Sequence, residues 1–189
     1  MTISTLDEKV ALLVVDLQGG IASVPTAHPM AGVLAGVVTL IDAFRERGLP
    51  VVLINVDAMA PGRTEQARPN IPMPPGWTDL VPELKQQAGD HLVTKRTWGA
   101  FTGTDLERYL KQAGVTQVVI AGVATSAGVE STARQAHELG FNVALATDAM
   151  TDLNLDAHDR SIKLIFPRIG ETGTSRQIVD LLKNGQAIS

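Results

Sequence analysis

Asp16, Lys95 and the small-residue stretch AGVATSAGVESTARQA (121–136) are the parts of this chain whose residue types and settings could carry a reaction. Asp16 follows six apolar residues, VALLVV (10–15). A carboxylate at the carboxyl end of a buried strand is partly desolvated, which raises its pKa and suits it to proton transfer. The plainer reading is a solvated strand-end residue or a cap for the next segment. Lys95 follows the short apolar run LVT, which places it at the same edge of a sheet. There it could orient a buried carboxylate, hold it ionised or bind an anionic substrate, or it could be a surface Lys in a Lys-Arg pair. Trp98 and Phe101 come next, as a wall over a pocket or as core anchors for the following helix.

The stretch 121–136 reads as strand, turn and helix. In parallel α/β sheets the crevice beyond the strands' carboxyl ends is where ligands bind, and a helix N-terminus there presents free N–H groups to an anion. Gly128 falls in what should be the first turns of that helix, where Gly costs about 1 kcal/mol relative to Ala. Close approach of a ligand or of another backbone would explain it, and so would tight helix–strand packing. Thr125 and Ser126 are N-cap candidates. Ser126 as a nucleophile has little support, because no His is near in sequence and no G-x-S-x-G elbow is present.

Composition narrows the chemistry. The chain has 189 residues, a net charge of −4 and no cysteine. Disulfides, Cys-ligated zinc, iron–sulfur clusters and thiol catalysis are therefore excluded. The interspersed charge gives no basic stripe for nucleic acid or an anionic membrane. No apolar run approaches the ~20 residues of a membrane span, and Asp7 and Glu8 do not fit a signal sequence. The four histidines have no metal-binding spacing, and neither phosphate-loop signature is present, so no metal and no cofactor is expected. The expectation is one soluble, cytoplasmic domain over 1–189.

The elements that must hold these residues can be read from periodicity. Near-continuous apolar runs at 10–15, 50–56, 92–94, 117–121 and 142–146 read as strands covered on both faces. Helical spacing covers 33–47, stopping at Gly48, and 126–139, stopping at Gly140. Capping boxes at Thr104–Glu107 and Thr174–Gln177 open two more helices, one stopping at Gly114 and the other running to about 182. Alternating strands and helices predict right-handed crossovers and a mostly parallel sheet, a three-layer α/β/α domain. The stretch 58–82 breaks this rhythm. It holds six of the ten prolines and reads as a stiff, extended segment serving as a lid, a binding loop or an oligomer contact.

LLVVDLQ, TKRTWGAFTGTDL and AGVATSAGVESTARQA, in this order and spacing, resemble the isochorismatase-like hydrolase family, and the likeness runs on through ATDAMTD (146–152) to the last helix. The resemblance implies a six-stranded, mostly parallel, Rossmann-like sheet with helices on both faces. It also implies a site of Asp, Lys and usually Cys, and a non-proline cis peptide at about Val123–Ala124 that aims backbone N–H groups into that site. Asp16 and Lys95 fall on the first two members, and the Cys position is Gly128. Covalent acyl transfer through a thiol is thereby removed. The Asp-x-His metal site of nicotinamidase-like relatives is absent from Asp57-Ala58-Met59.

The branch that also has Gly here hydrolyses a vinyl ether without a covalent intermediate, its Asp protonating the enol-ether carbon. That branch has Tyr-Ala-His where this chain has Ala124-Thr125-Ser126. The expected reading is a thiol-independent hydrolase of a small, anionic metabolite, with Asp16 as general acid or base and Lys95 as its partner. Gln18, Trp98, Phe101, Val123, Ala124, Thr125 and Ser126 would contact the substrate. Lys95 pushes the Asp16 pKa down and burial pushes it up, so acid and base roles both stand at this point. The alternatives are an inactive small-molecule-binding protein that kept the pocket, an amide or ester hydrolase using Asp-activated water, and a structural subunit. The resemblance also implies a homo-oligomer, dimer or tetramer.

Overall fold

A computed structural model describes residues 2–65 and 73–184. Among them, six strands form one parallel sheet in the order β3-β2-β1-β4-β5-β6. In chain order the strands are β1 (Val10–Val15), β2 (Val51–Val56), β3 (His91–Lys95), β4 (Gln117–Val123), β5 (Asn142–Thr151) and β6 (Glu171–Gly173). The helices are α1 (Gly19–Ala22), α2 (Met30–Glu46), α3 (Leu106–Gln112), α4 (Glu130–Glu138), α5 (Leu155–Arg160) and α6 (Ser175–Asn184).

The unbroken hydrophobicity of β1 follows from its central place. Val10, Leu12 and Val14 enter one core with Leu40 and Phe44 of α2 and Ile178 of α6. Ala11, Leu13 and Val15 enter the other with Leu106 and Leu110 of α3 and Ala133 and Ala136 of α4. A strand that fills two cores has no position left for a polar residue. Both faces are covered, as a three-layer arrangement requires.

The chain runs outward from β1 through β2 to β3, then returns to place β4 on the other side of β1. The strand order therefore reverses between β1 and β4, and the crevice of a doubly wound sheet opens beyond the carboxyl ends at such a point. Asp16 follows β1 there, and Gly128 lies in the turn after β4.

Several boundaries differ from the periodicity reading. β4 and β5 run on to Val123 and Thr151, and their register shifts between Ile120 and Gly122. The predicted helix 126–139 is α-helical only from Glu130, with a π-type turn over Thr125–Val129 before it. The residue pattern did not indicate α5 or β6. β6 is three residues long and mostly half-buried, too short for a period to show. The Thr174 box forms as expected: Gln177 N–H donates to Thr174 Oγ1 (3.2 Å) and Thr174 N–H to Gln177 Oε1 (2.9 Å). The Thr104 box forms by half. Its hydroxyl accepts from Leu106 N–H (3.3 Å), but Glu107 pairs with Lys111 instead.

Candidate active site

β1 ends in an abrupt change of backbone. Asp16 has φ 54°, a left-handed conformation that Asp tolerates better than most residues. Its N–H still continues the sheet ladder, donating to Ile54 O (2.9 Å), while Gln18 N–H folds back to Asp16 O (3.0 Å). Beyond that bend the Gln18 side chain takes over the pairing with β2. Its Oε1 accepts from Val56 N–H (2.7 Å), and its Nε2 donates to Val56 O (3.0 Å) and Trp77 O (3.1 Å). The amide thus stands in for a strand.

Residues 17–20 also zip onto the end of the proline-rich segment. Val81 N–H donates to Leu17 O, Gly19 N–H to Asp79 O and Gly20 N–H to Trp77 O. A Cβ at Gly20 would lie 1.9 Å from Trp77 Nε1, so only glycine admits this approach. This part of the segment is fastened to the residues after Asp16; 66–72 lie outside the described residues.

Lys95 ends β3, two strands away, and its long side chain spans the gap. Its Nζ lies 2.8 Å from Asp16 Oδ2 and donates to Thr97 O at 3.1 Å. Both partners are buried, at 2% and 4% exposure. Asp16 Oδ1 is buried with no hydrogen-bond partner among the described residues. Burial raises the Asp16 pKa to about 6, against the lowering effect of the Lys95 charge and hydrogen bond. Desolvation wins because a single ammonium on one oxygen does not replace the water lost by both.

The turn after β4 closes on this pair. The Val123–Ala124 peptide is cis. A Cβ placed on Gly128 would lie 2.9 Å from Asp16 Oδ2 and 3.1 Å from Val15 Cγ1. The backbone at 128 therefore abuts the carboxyl group, and the position at which the resemblance calls for a cysteine stands beside the buried acid.

The Isochorismatase domain family matches residues 10–177. The chain belongs to the isochorismatase family. It is 38% identical to the uncharacterized isochorismatase family protein YwoC of Bacillus subtilis over 183 residues, 93% of this chain and 95% of that protein. It is 33% identical to Nicotinamidase 3 of Arabidopsis thaliana, over 80% of this chain and 78% of the relative. An isochorismatase family protein from Burkholderia thailandensis has the same fold, with a TM-score of 0.92 and 36% identity, covering 96% of this chain and 100% of that one.

Within this family frame the remaining expected residues divide. Ser126 does not cap a helix. Its N–H and Oγ both donate to Asp152 Oδ2, at 2.7 and 2.8 Å. Thr125 is likewise not a cap: its hydroxyl meets His158 Nδ1 at 2.8 Å. Phe101 is a core residue, its ring 6.0 Å from that of Phe141. Trp98 is 63% exposed and projects from the surface. Gln18 is fully buried, with both amide atoms on backbone partners.

Asp152 and His158 were not singled out from the sequence. The signal that drew attention to Asp16, a carboxylate directly after an apolar strand, also marks Asp152 once β5 is extended to Thr151. A cavity of about 540 Å³ lies elsewhere. His28, Gly32 and Gly36 line it on one side and Asp148 and Ser175 on the other, so it does not open onto Asp16.

Proposed function

We propose that this isochorismatase-family hydrolase acts without a thiol on a small anionic metabolite, with Asp16 as general acid and vinyl-ether hydrolysis as the reaction. The observation that carries this reading is the state of the Asp16 carboxyl. Its Oδ2 is held by Lys95 while its Oδ1 is buried and unpartnered, and burial outweighs the lysine in setting its pKa near 6. A group titrating near the working pH can hold a proton and still release it. The same pKa leaves most of the carboxyl ionised at pH 7, so the base role, Asp-activated attack of water on an amide or ester, is separated from the acid role by the isotope test.

The step balances as follows. The proton on Asp16 passes to the terminal carbon of the enol ether, leaving an oxocarbenium ion and an aspartate stabilised by Lys95. Water adds to that ion and gives up a proton, which restores the acid. The resulting hemiketal collapses to an alcohol and a ketone. Glycine at 128 places no competing nucleophile beside the carboxyl.

The test is hydrolysis of enolpyruvyl ethers in D2O, with the pyruvate trapped at once by reduction. Carbon protonation places one solvent deuteron in the methyl group and gives a normal solvent isotope effect, and Asp16→Asn abolishes turnover. Turnover of amides or esters alone, or wild-type rates in Asp16→Asn, overturns the proposal.

A further inference from the structure

We propose that Asp152 and His158 are positioning residues that seat the turn at 125–128 against Asp16 by holding the two residues that open it. This rests on the reading of Asp16 as the proton-transfer residue. One oxygen of the Asp152 carboxylate takes both donors of Ser126, its N–H at 2.7 Å and its hydroxyl at 2.8 Å. The other oxygen accepts from Asn154 N–H at 3.2 Å. Asp152 is 4% exposed, and its own carbonyl is held by Ala27 N–H at 2.7 Å. The carboxylate is thus fixed from both flanks before it grips the turn.

The neighbouring residue is gripped separately. Thr125, fully buried, meets His158 Nδ1 at 2.8 Å, and the His158 ring packs at 4.7 Å on His28, whose Nδ1 meets Thr151 Oγ1 at 3.1 Å. A buried carboxylate is costly unless its lone pairs are satisfied. A structural tie between β5 and the turn could be apolar. What a carboxylate adds is direction, since two donors of one residue converge on one oxygen and fix both where Ser126 sits and how its peptide is oriented.

Two residues further on, the Gly128 backbone lies against the Asp16 carboxyl, with a virtual Cβ only 2.9 Å from Oδ2. The position of the turn therefore governs how completely Asp16 is removed from water. The arrangement also commits the Ser126 hydroxyl to Asp152 Oδ2, so Ser126 acts here as a handle for the turn and not as a reacting group.

The experiment is a 13C NMR titration of the Asp carboxyl carbons, with Asp16 assigned by loss of its signal in Asp16→Asn. Wild type should titrate near 6. Asp152→Ser and His158→Asn should let the turn retreat and water enter, lowering the Asp16 midpoint by roughly one pH unit or more. The reciprocal variant Ser126→Asp/Asp152→Ser restores a carboxylate–hydroxyl pair and should return the midpoint toward the wild-type value. If Asp152→Ser does not fold, Asp152→Asn, which keeps one oxygen for the Ser126 N–H, should show a smaller shift of the same sign.

An Asp16 midpoint unchanged in folded Asp152 and His158 variants overturns the inference. So does Ser126→Ala abolishing turnover while Asp16 titrates as in wild type, because Ser126 would then be the reacting group. The titration needs no substrate, so a failure of the vinyl-ether reading leaves it decisive. Where turnover is measurable, kcat should fall about a hundredfold in Asp152→Ser, with KM nearly unchanged.

Discussion

The energetic signature of Asp16 can be read without any substrate, by comparing the pH dependence of stability in wild type and Asp16→Asn. In the unfolded chain the carboxyl titrates at the ordinary 3.8, and in the fold at about 6. Between those values the native state holds more protons than the unfolded state, so stability falls as pH rises through the window. The contribution is fully present below about pH 4 and lost above about pH 6. A move from 3.8 to about 6 corresponds to about 3 kcal/mol. Asn keeps the shape and removes the titration, and the contributions of ionisable groups remote from Asp16 cancel in the difference. Asp16→Asn should therefore gain about 3 kcal/mol on wild type between about pH 4 and about pH 7, or ~6–12 °C in Tm for a chain of this size. Urea unfolding across that range, with equal m-values as the check on the unfolded state, measures the difference. A flat difference would mean that the attraction of Lys95 matches burial, and one of opposite sign that it outweighs burial; either way the argument for a neutral acid would be lost.

Three further perturbations bear on the same site. Lys95→Met removes the charge that opposes burial, so the Asp16 midpoint should climb above its wild-type value of about 6; a 13C titration showing no rise would uncouple the pair. Gly128→Ala places a methyl group 2.9 Å from Asp16 Oδ2 and 3.1 Å from Val15 Cγ1. It should cost about 1–3 kcal/mol in urea unfolding, whereas a stabilised variant would show that the turn has room to spare. Gly20→Ala drives a methyl group into the Trp77 indole, 1.9 Å from Nε1. In a Trp98→Phe background, Trp77 fluorescence should shift to the red with about 1–3 kcal/mol of lost stability; an unmoved spectrum would mean the segment is not seated on Gly20.

The sequence by itself determined the layers of the sheet and picked out a candidate site. β1 was legible to the residue because a strand buried on both faces carries one unbroken signal, and Asp16 stood out as the polar residue that ends it. Family membership followed from motifs in fixed order, and the absence of cysteine removed a whole mechanism. Tertiary structure alone decided what those residues touch. Lys95 reaches Asp16 from two strands away, a separation that no local pattern encodes. Gln18 reads as a polar residue near a site until β2 and Trp77 arrive to occupy its amide. Thr125 and Ser126 read as caps because capping is the local option for a hydroxyl at a helix start. Here His158 and Asp152, brought in by the end of β5 and the helix after it, claim both hydroxyls. Whether Asp16 is held near neutrality is likewise a tertiary question, because burial and the charge of Lys95 act in opposite directions and their balance depends on how completely the surrounding residues exclude water.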